Sequence, residues 1–161
     1  MAELTPKERL QPSLLDRLAD DEPTQTVESR EQRVLSLTRL RQSVHRDLGW
    51  LLNAGCLETI QDLSDYPFVR QSVLNFGIPD LTGTTVSNAD PSTLERYLRQ
   101  AILAFEPRIL KTSLKVRVKS SGEHNTIIFE IEGELWAQPM PEHLYLRTIL
   151  DLELGQVDIE P

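Results

Sequence analysis

The sequence predicts an α+β protein: helices packed on one face of a small antiparallel sheet, in a single domain preceded by an extended N-terminal tail. Three observations carry this expectation. Apolar residues recur at helical spacing in two long segments before residue 106, the pattern of amphipathic helices. From Leu114 the hydrophobic period drops to two, as in half-buried strands. The first two alternating segments also carry polar faces of opposite sign, Lys115, Arg117 and Lys119 against Glu130, Glu132 and Glu134. Cross-strand pairs of that kind contribute roughly 0.2–1 kcal/mol each and set which strand lies beside which. At 161 residues the chain can bury a sizeable core, and two domains are not expected.

Residues 1–27 read as the tail. Pro6, Pro12, Pro23 and the acidic run Asp20-Asp21-Glu22 leave too little apolar area to fold alone. One stretch within it differs. Ser13 can cap a short helix on which Leu14, Leu15 and Leu18 share a face. That stripe is either a portable anchor for a partner or a segment folded back on its own core.

The domain is assigned to residues 28–161. A helix is predicted from about Glu28 to Leu52, opened by Ser29 and Gln32 as a capping box and closed near Asn53-Ala54-Gly55. Leu37, Leu40, Val44, Leu48, Leu51 and Leu52 form its buried stripe, and Arg30, Arg33, Arg39, Arg41 and Arg46 a solvated face. His45 beside Val44 reads as half-buried. The connector contains a predicted short helix from Pro67 to Leu74, followed by Asn75 and Gly77, which can adopt positive φ, and Pro79, which resists further helix. Asp90 as N-cap and Pro91 open the second long helix, with Leu94, Tyr97, Leu98, Ala101, Ile102 and Phe105 on one face. Strands follow at Leu114–Lys119, Phe129–Leu135 and His143–Leu154, the last with its leucines on one face, and Gly155-Gln156 suits a tight hairpin into Val157–Ile159.

Composition narrows the function. Seventeen Lys and Arg against 25 Asp and Glu give a net charge of −8, which disfavours nucleic acid and anionic membranes and favours proteins or cations as partners. Cys56 is the only cysteine, and with His45, His124 and His143 it matches no zinc-site spacing. No cofactor or metal is expected. No apolar run approaches the ~20 residues of a membrane span, and Met1-Ala2-Glu3-Leu4 lacks the basic and apolar regions of a signal peptide. The expected location is cytoplasmic, without direct membrane insertion.

The strongest candidate site is Glu106-Pro107-Arg108, where the second helix hands over to the sheet. Proline fixes its own φ and pushes Glu106 out of the α region, so two opposite charges sit on a stiffened corner. The corner is either a local ion pair, worth roughly 0–1 kcal/mol if exposed, or a docking knuckle whose guanidinium captures a partner's oxygens.

Four segments in this order, Pro12–Leu18, Asp47–Asn53, Ser72–Asp80 and Phe105–Arg108, give the chain a resemblance to the GPW/gene-25 family of phage baseplate wedge proteins. Within that family it resembles the TssE group of type VI secretion baseplate subunits. The resemblance implies a non-catalytic wedge component that joins other baseplate subunits to the contractile sheath and helps start sheath polymerisation, in a cytoplasmic baseplate anchored at a membrane. The family's Glu-Pro-Arg motif maps onto Glu106, Pro107 and Arg108, implying that they hold neighbouring wedge subunits. Leu14, Leu15 and Leu18 join them as candidate partner-binding residues. The chain departs from the family at Asn53-Ala54-Gly55, where a threonine and a basic residue are expected after the asparagine.

Two alternatives belong to other classes. A lysozyme-like glycosidase needs one carboxylate kept protonated as general acid, and Arg108 beside Glu106 favours the ionised form instead. A soluble adaptor that sequesters a regulatory protein would also suit the acidic surface.

Overall fold

The computed structural model describes residues 14–18, 37–79, 90–120, 126–137 and 141–160. These form α1 (Leu14–Leu18), α2 (Leu37–Leu52), α3 (Pro67–Arg70), α4 (Pro91–Phe105), β1 (Lys115–Ser120), β2 (Thr126–Leu135), β3 (Glu142–Asp151) and β4 (Gln156–Glu160). The strands make one antiparallel sheet in the order β1-β2-β3-β4. α4 packs over the β1 side and α2 over the β4 side, the predicted α+β arrangement.

Each long helix buries the stripe its spacing dictates. On α2 these are Leu40, Val44, Leu48, Leu51 and Leu52, whereas Leu37 in the first described turn is exposed. The predicted start at Glu28 and the Ser29–Gln32 capping box lie outside the described residues. On α4 they are Leu94, Leu98, Ala101 and Ile102. Tyr97, assigned to the same face, is exposed at the helix rim, where its hydroxyl stays wet. The Asp90 carboxylate accepts from Ser92 N at 3.3 Å and Thr93 N at 3.2 Å, capping α4 as predicted. Phe129, Ile131, Leu135, Leu144, Leu146 and Leu150 supply the sheet's half of the core.

The connector departs from one continuous helix over 67–74. α3 ends at Arg70, and Ser72 intervenes, accepting from Leu74 N at 3.3 Å and donating to Val69 O at 2.8 Å. A serine hydroxyl that bonds local backbone competes with the helical ladder, and the chain restarts as a 3₁₀ turn, Val73–Asn75. Asn75 lies in that turn and is buried, accepting from Glu58 N at 2.9 Å and donating to Arg70 O at 3.0 Å. Gly77 takes φ +127. A Cβ there would lie 2.3 Å from Ala54 O, which itself accepts from Ile78 N at 2.9 Å.

Two strand boundaries also shift. β2 starts at Thr126, three residues before Phe129, and β3 ends at Asp151 instead of Leu154. The cause is Asp151, whose carboxylate accepts from Glu153 N at 2.8 Å and Leu154 N at 3.1 Å and opens a turn. Residues 152–155 form that turn and Gln156 is already in β4, opposite Asp151. Leu152 is buried there, but Leu154 is 76 % exposed and has left the predicted leucine face. The opposite-sign pairing of β1 and β2 is present: Lys115 lies 3.7 Å from Glu132 and Lys119 2.6 Å from Glu130.

Both sheet edges are met by side chains from the helices. On β4, Asn53 accepts from Val157 N at 2.9 Å and donates to Val157 O at 3.0 Å, imitating a neighbouring strand. His45, half-buried as predicted, lies 3.3 Å from Ile159 O. On β1, Val118 N donates to Glu95 of α4 at 2.8 Å. Edge groups left unpaired template association with other strands.

Candidate functional site: the corner after α4

α4 stops where proline forces it to. Glu106 N still donates to Ile102 O at 2.8 Å, but Glu106 has left the helical region with φ −119. The chain then joins the sheet: Arg108 O accepts from Trp136 N at 2.7 Å and Leu110 N donates to Glu134 O at 2.8 Å, with Ile109 bridged to Leu135. The corner is thus held at its helix end and its sheet end at once.

Its charges point inward as well as outward. Glu106 is only 3 % exposed and accepts from Arg108 N at 3.2 Å, from Nε at 2.6 Å, and from Nη2. Arg108 continues to α2, donating from Nη2 to Asp47 Oδ2 at 2.6 Å and from Nη1 to Ser43 Oγ at 3.1 Å. Burial alone would lower the basicity of Arg108. The hydrogen bonds and charges of Glu106, and after it Asp47, outweigh burial and raise it. Asp47 also accepts from Arg46 Nε at 2.9 Å, and Arg46 donates from Nη1 to Asp16 of α1 at 2.7 Å. The bond to Asp16 is the largest influence raising the Arg46 pKa. Glu106, Arg108, Asp47, Arg46 and Asp16 therefore form a chain of alternating charge across the corner, α2 and α1.

Beside this chain lies a cleft of ≈ 430 Å³ lined by Leu15, Trp50, Phe76, Phe105 and Pro107, with Asp47, Glu106 and Arg108 at its polar side. Phe76 and Phe105 meet edge to face at 5.3 Å. The Arg46 guanidinium sits 5.0 Å from the Trp50 ring.

Of the six predicted site residues, Glu106, Pro107, Arg108 and Leu15 come together here. Leu18 is 73 % exposed and does not line the cleft, and the side chain of Leu14 lies outside the description. Four further residues were not predicted: Ser43, Arg46, Asp47 and Trp50. Assigning Arg46 to a solvated face is corrected by its bonds to Asp16 and Asp47. The available signal was spacing, since Ser43, Asp47 and Trp50 stand at i, i+4 and i+7 on one helix face.

Among the described residues no group of three or more His, Cys, Asp or Glu could hold a metal ion. No described helix is long and apolar enough to cross a membrane. No curated protein matches the chain. A family model described as baseplate wedge protein gp25 matches residues 38–140, from α2 through β2, a span that contains both Asp47 and the corner.

Proposed function

The chain belongs to the baseplate wedge protein gp25 family, and on that premise we propose that it is a structural, non-catalytic wedge subunit of a contractile machine of the type VI secretion kind. In this reading it works in the cytoplasm within a membrane-anchored baseplate. It joins other wedge subunits to the contractile sheath and helps start sheath polymerisation, and the Glu106-Pro107-Arg108 corner holds a neighbouring subunit.

One observation carries the reading of the corner. Within the family match, an exposed Pro107 and a half-buried Arg108 border an apolar cleft, and Nη1 has a second N–H besides the one given to Ser43. A rigid apolar rim beside an oriented donor suits protein docking, where central apolar anchors carry most binding energy. The same geometry argues against a glycosidase. Both oxygens of Glu106 accept from Arg108, leaving the carboxylate engaged as an acceptor where a general acid must donate.

The sheath contact is assigned to the β1 edge by strand addition. β4 has both outward groups of Val157 engaged by Asn53, whereas on β1 one carboxylate, Glu95, would need to move aside.

The test is genetic and biochemical together. The gene is deleted in its native host, and the tagged protein is used for affinity purification. Loss of fluorescent sheath assemblies on deletion, with baseplate subunits co-purifying, is the expected result. Normal numbers of sheath assemblies in the deletion strain would overturn the proposal.

A further inference from the structure

The cleft beside the corner is walled in part by a segment that precedes α2 in the chain. Leu15 of α1 shares its lining with Trp50, Phe76, Phe105 and Pro107, and Asp16 of the same helix reaches Arg46 at 2.7 Å. An apolar residue and the carboxylate next to it thus meet the wall of an apolar cleft and the cation stacked on its Trp50.

The attachment is shallow. Leu15 remains 46 % exposed and Leu18 73 %, and α1 has five residues, far fewer than a helix needs to persist alone in water. Tethering compensates for weak contact. Residues 19–36 connect α1 to α2, so the contact is made within one chain and is favoured over the same contact made by a free segment. A segment held this way borders the cleft in the isolated chain yet yields to a stronger competitor.

We propose that α1 is a cis competitor for the corner: its Leu15 and Asp16 hold the cleft wall and Arg46 in the free chain, and a neighbouring subunit engages Glu106–Arg108 by displacing them. The proposal rests on the reading of the corner as a subunit-binding site. It also specifies the incoming chemistry, because Arg46 loses Asp16 when α1 leaves. The displacing segment is a short amphipathic helix with a branched apolar side chain for the Trp50–Phe105 wall and a carboxylate for Arg46. Competition of this kind lowers apparent affinity by the fraction of chains in which the cleft is open.

The experiment uses the full-length chain and a fluorescein-labelled peptide of residues 10–20 as probe, with binding read by anisotropy. Wild type is compared with the full-length double variant Leu15→Asp, Asp16→Lys, whose own α1 no longer fits. With α1 docked in nine chains of ten, the double variant binds the probe about tenfold more tightly than wild type, and adding Arg46→Ala weakens that binding. Equal affinity for the two chains, or no binding by either, overturns the proposal. A parallel purification from cells separates it from the reading beneath it. If the probe shows competition but the double variant recovers no more of the neighbouring baseplate subunits than wild type, the corner is not a subunit site and the competitor role falls with it. Loss of competition with recovery still dependent on Arg46 removes the competitor role alone.

Discussion

Arg108, in the loop after α4, donates from Nη2 to Asp47 on α2 at 2.6 Å, tying together segments 61 residues apart in sequence. The same guanidinium grips Glu106, which is almost fully buried. What reads in sequence as a local Glu–Arg pair is therefore also a brace between the two long helices. Its removal has two effects, one on folding and one on any partner.

Arg108→Ala is expected to cost stability because it leaves Glu106 buried without its counter-ion. Breaking a fully buried pair costs about 3–5 kcal/mol, and with Arg108 partly exposed the loss should be about 2–3 kcal/mol. Arg108→Lys should retain part of this, since an ammonium cannot serve Glu106, Ser43 and Asp47 together. Urea denaturation of both variants, with Asp47→Ala completing a double-mutant cycle, measures the coupling. A cost below ~1 kcal/mol would show an ordinary surface pair.

Gly77→Ala is expected to destabilise the connector, where Gly77 is buried. The residue has φ +127 and a Cβ would sit 2.3 Å from Ala54 O. Strain of this kind alone costs about 1–3 kcal/mol, before the parallel bridge Gly55↔Ile78 is disturbed. Thermal melting should show a clear drop. An unchanged melt would mean that the 54–55 segment moves freely.

The two sheet edges should respond differently. Asn53→Ala uncovers both outward groups of Val157 and should promote self-association, seen as concentration-dependent mass by light scattering. Val118→Pro removes the outward N–H given to Glu95 without touching the β1–β2 ladder, and should suppress sheath assemblies in cells. Sheath assemblies at wild-type numbers in Val118→Pro would move the sheath contact away from β1.

Acid should unfold the protein partly through two carboxylates. Hydrogen bonds from Thr93 and then Ser92 hold Asp90 below its ordinary 3.8, and a hydrogen bond from Lys119 holds Glu130 below 4.5. A depressed folded-state pKa stabilises above the unfolded value and ceases to do so as pH falls through the folded one. Stability should therefore be level at neutral pH and decline below about pH 4.5. Asn keeps one capping oxygen but cannot accept from both Ser92 and Thr93 as Asp90 does, so Asp90→Asn should lower neutral stability modestly and flatten the acid limb in pH-dependent urea titrations. An unaltered acid limb would remove Asp90 from this account.

Much of the fold was legible because its causes are local. Asp90-Pro91 caps α4 with atoms two and three residues away, and proline at 107 ends it. Period-two alternation placed β1 and β2, and their opposite charges paired them. Errors arose where a short polar side chain competed with a regular element, as at Ser72, which divides the connector helix, and Asp151, which turns β3 early. A sequence pattern averages over windows longer than those single hydrogen bonds.

The sequence by itself determined the α+β class, the stiff corner and the family, since each depends on residue type in a fixed order. Only the tertiary structure decided what the corner touches. Arg46 and Asp47 read in sequence as neighbouring opposite charges on one helix, and their longer-range pairing depends on where α1 and the corner bring Asp16 and Arg108. An ion pair forms over a few ångströms of space, so contacts between residues 30 or 61 positions apart arise only when packing closes that distance.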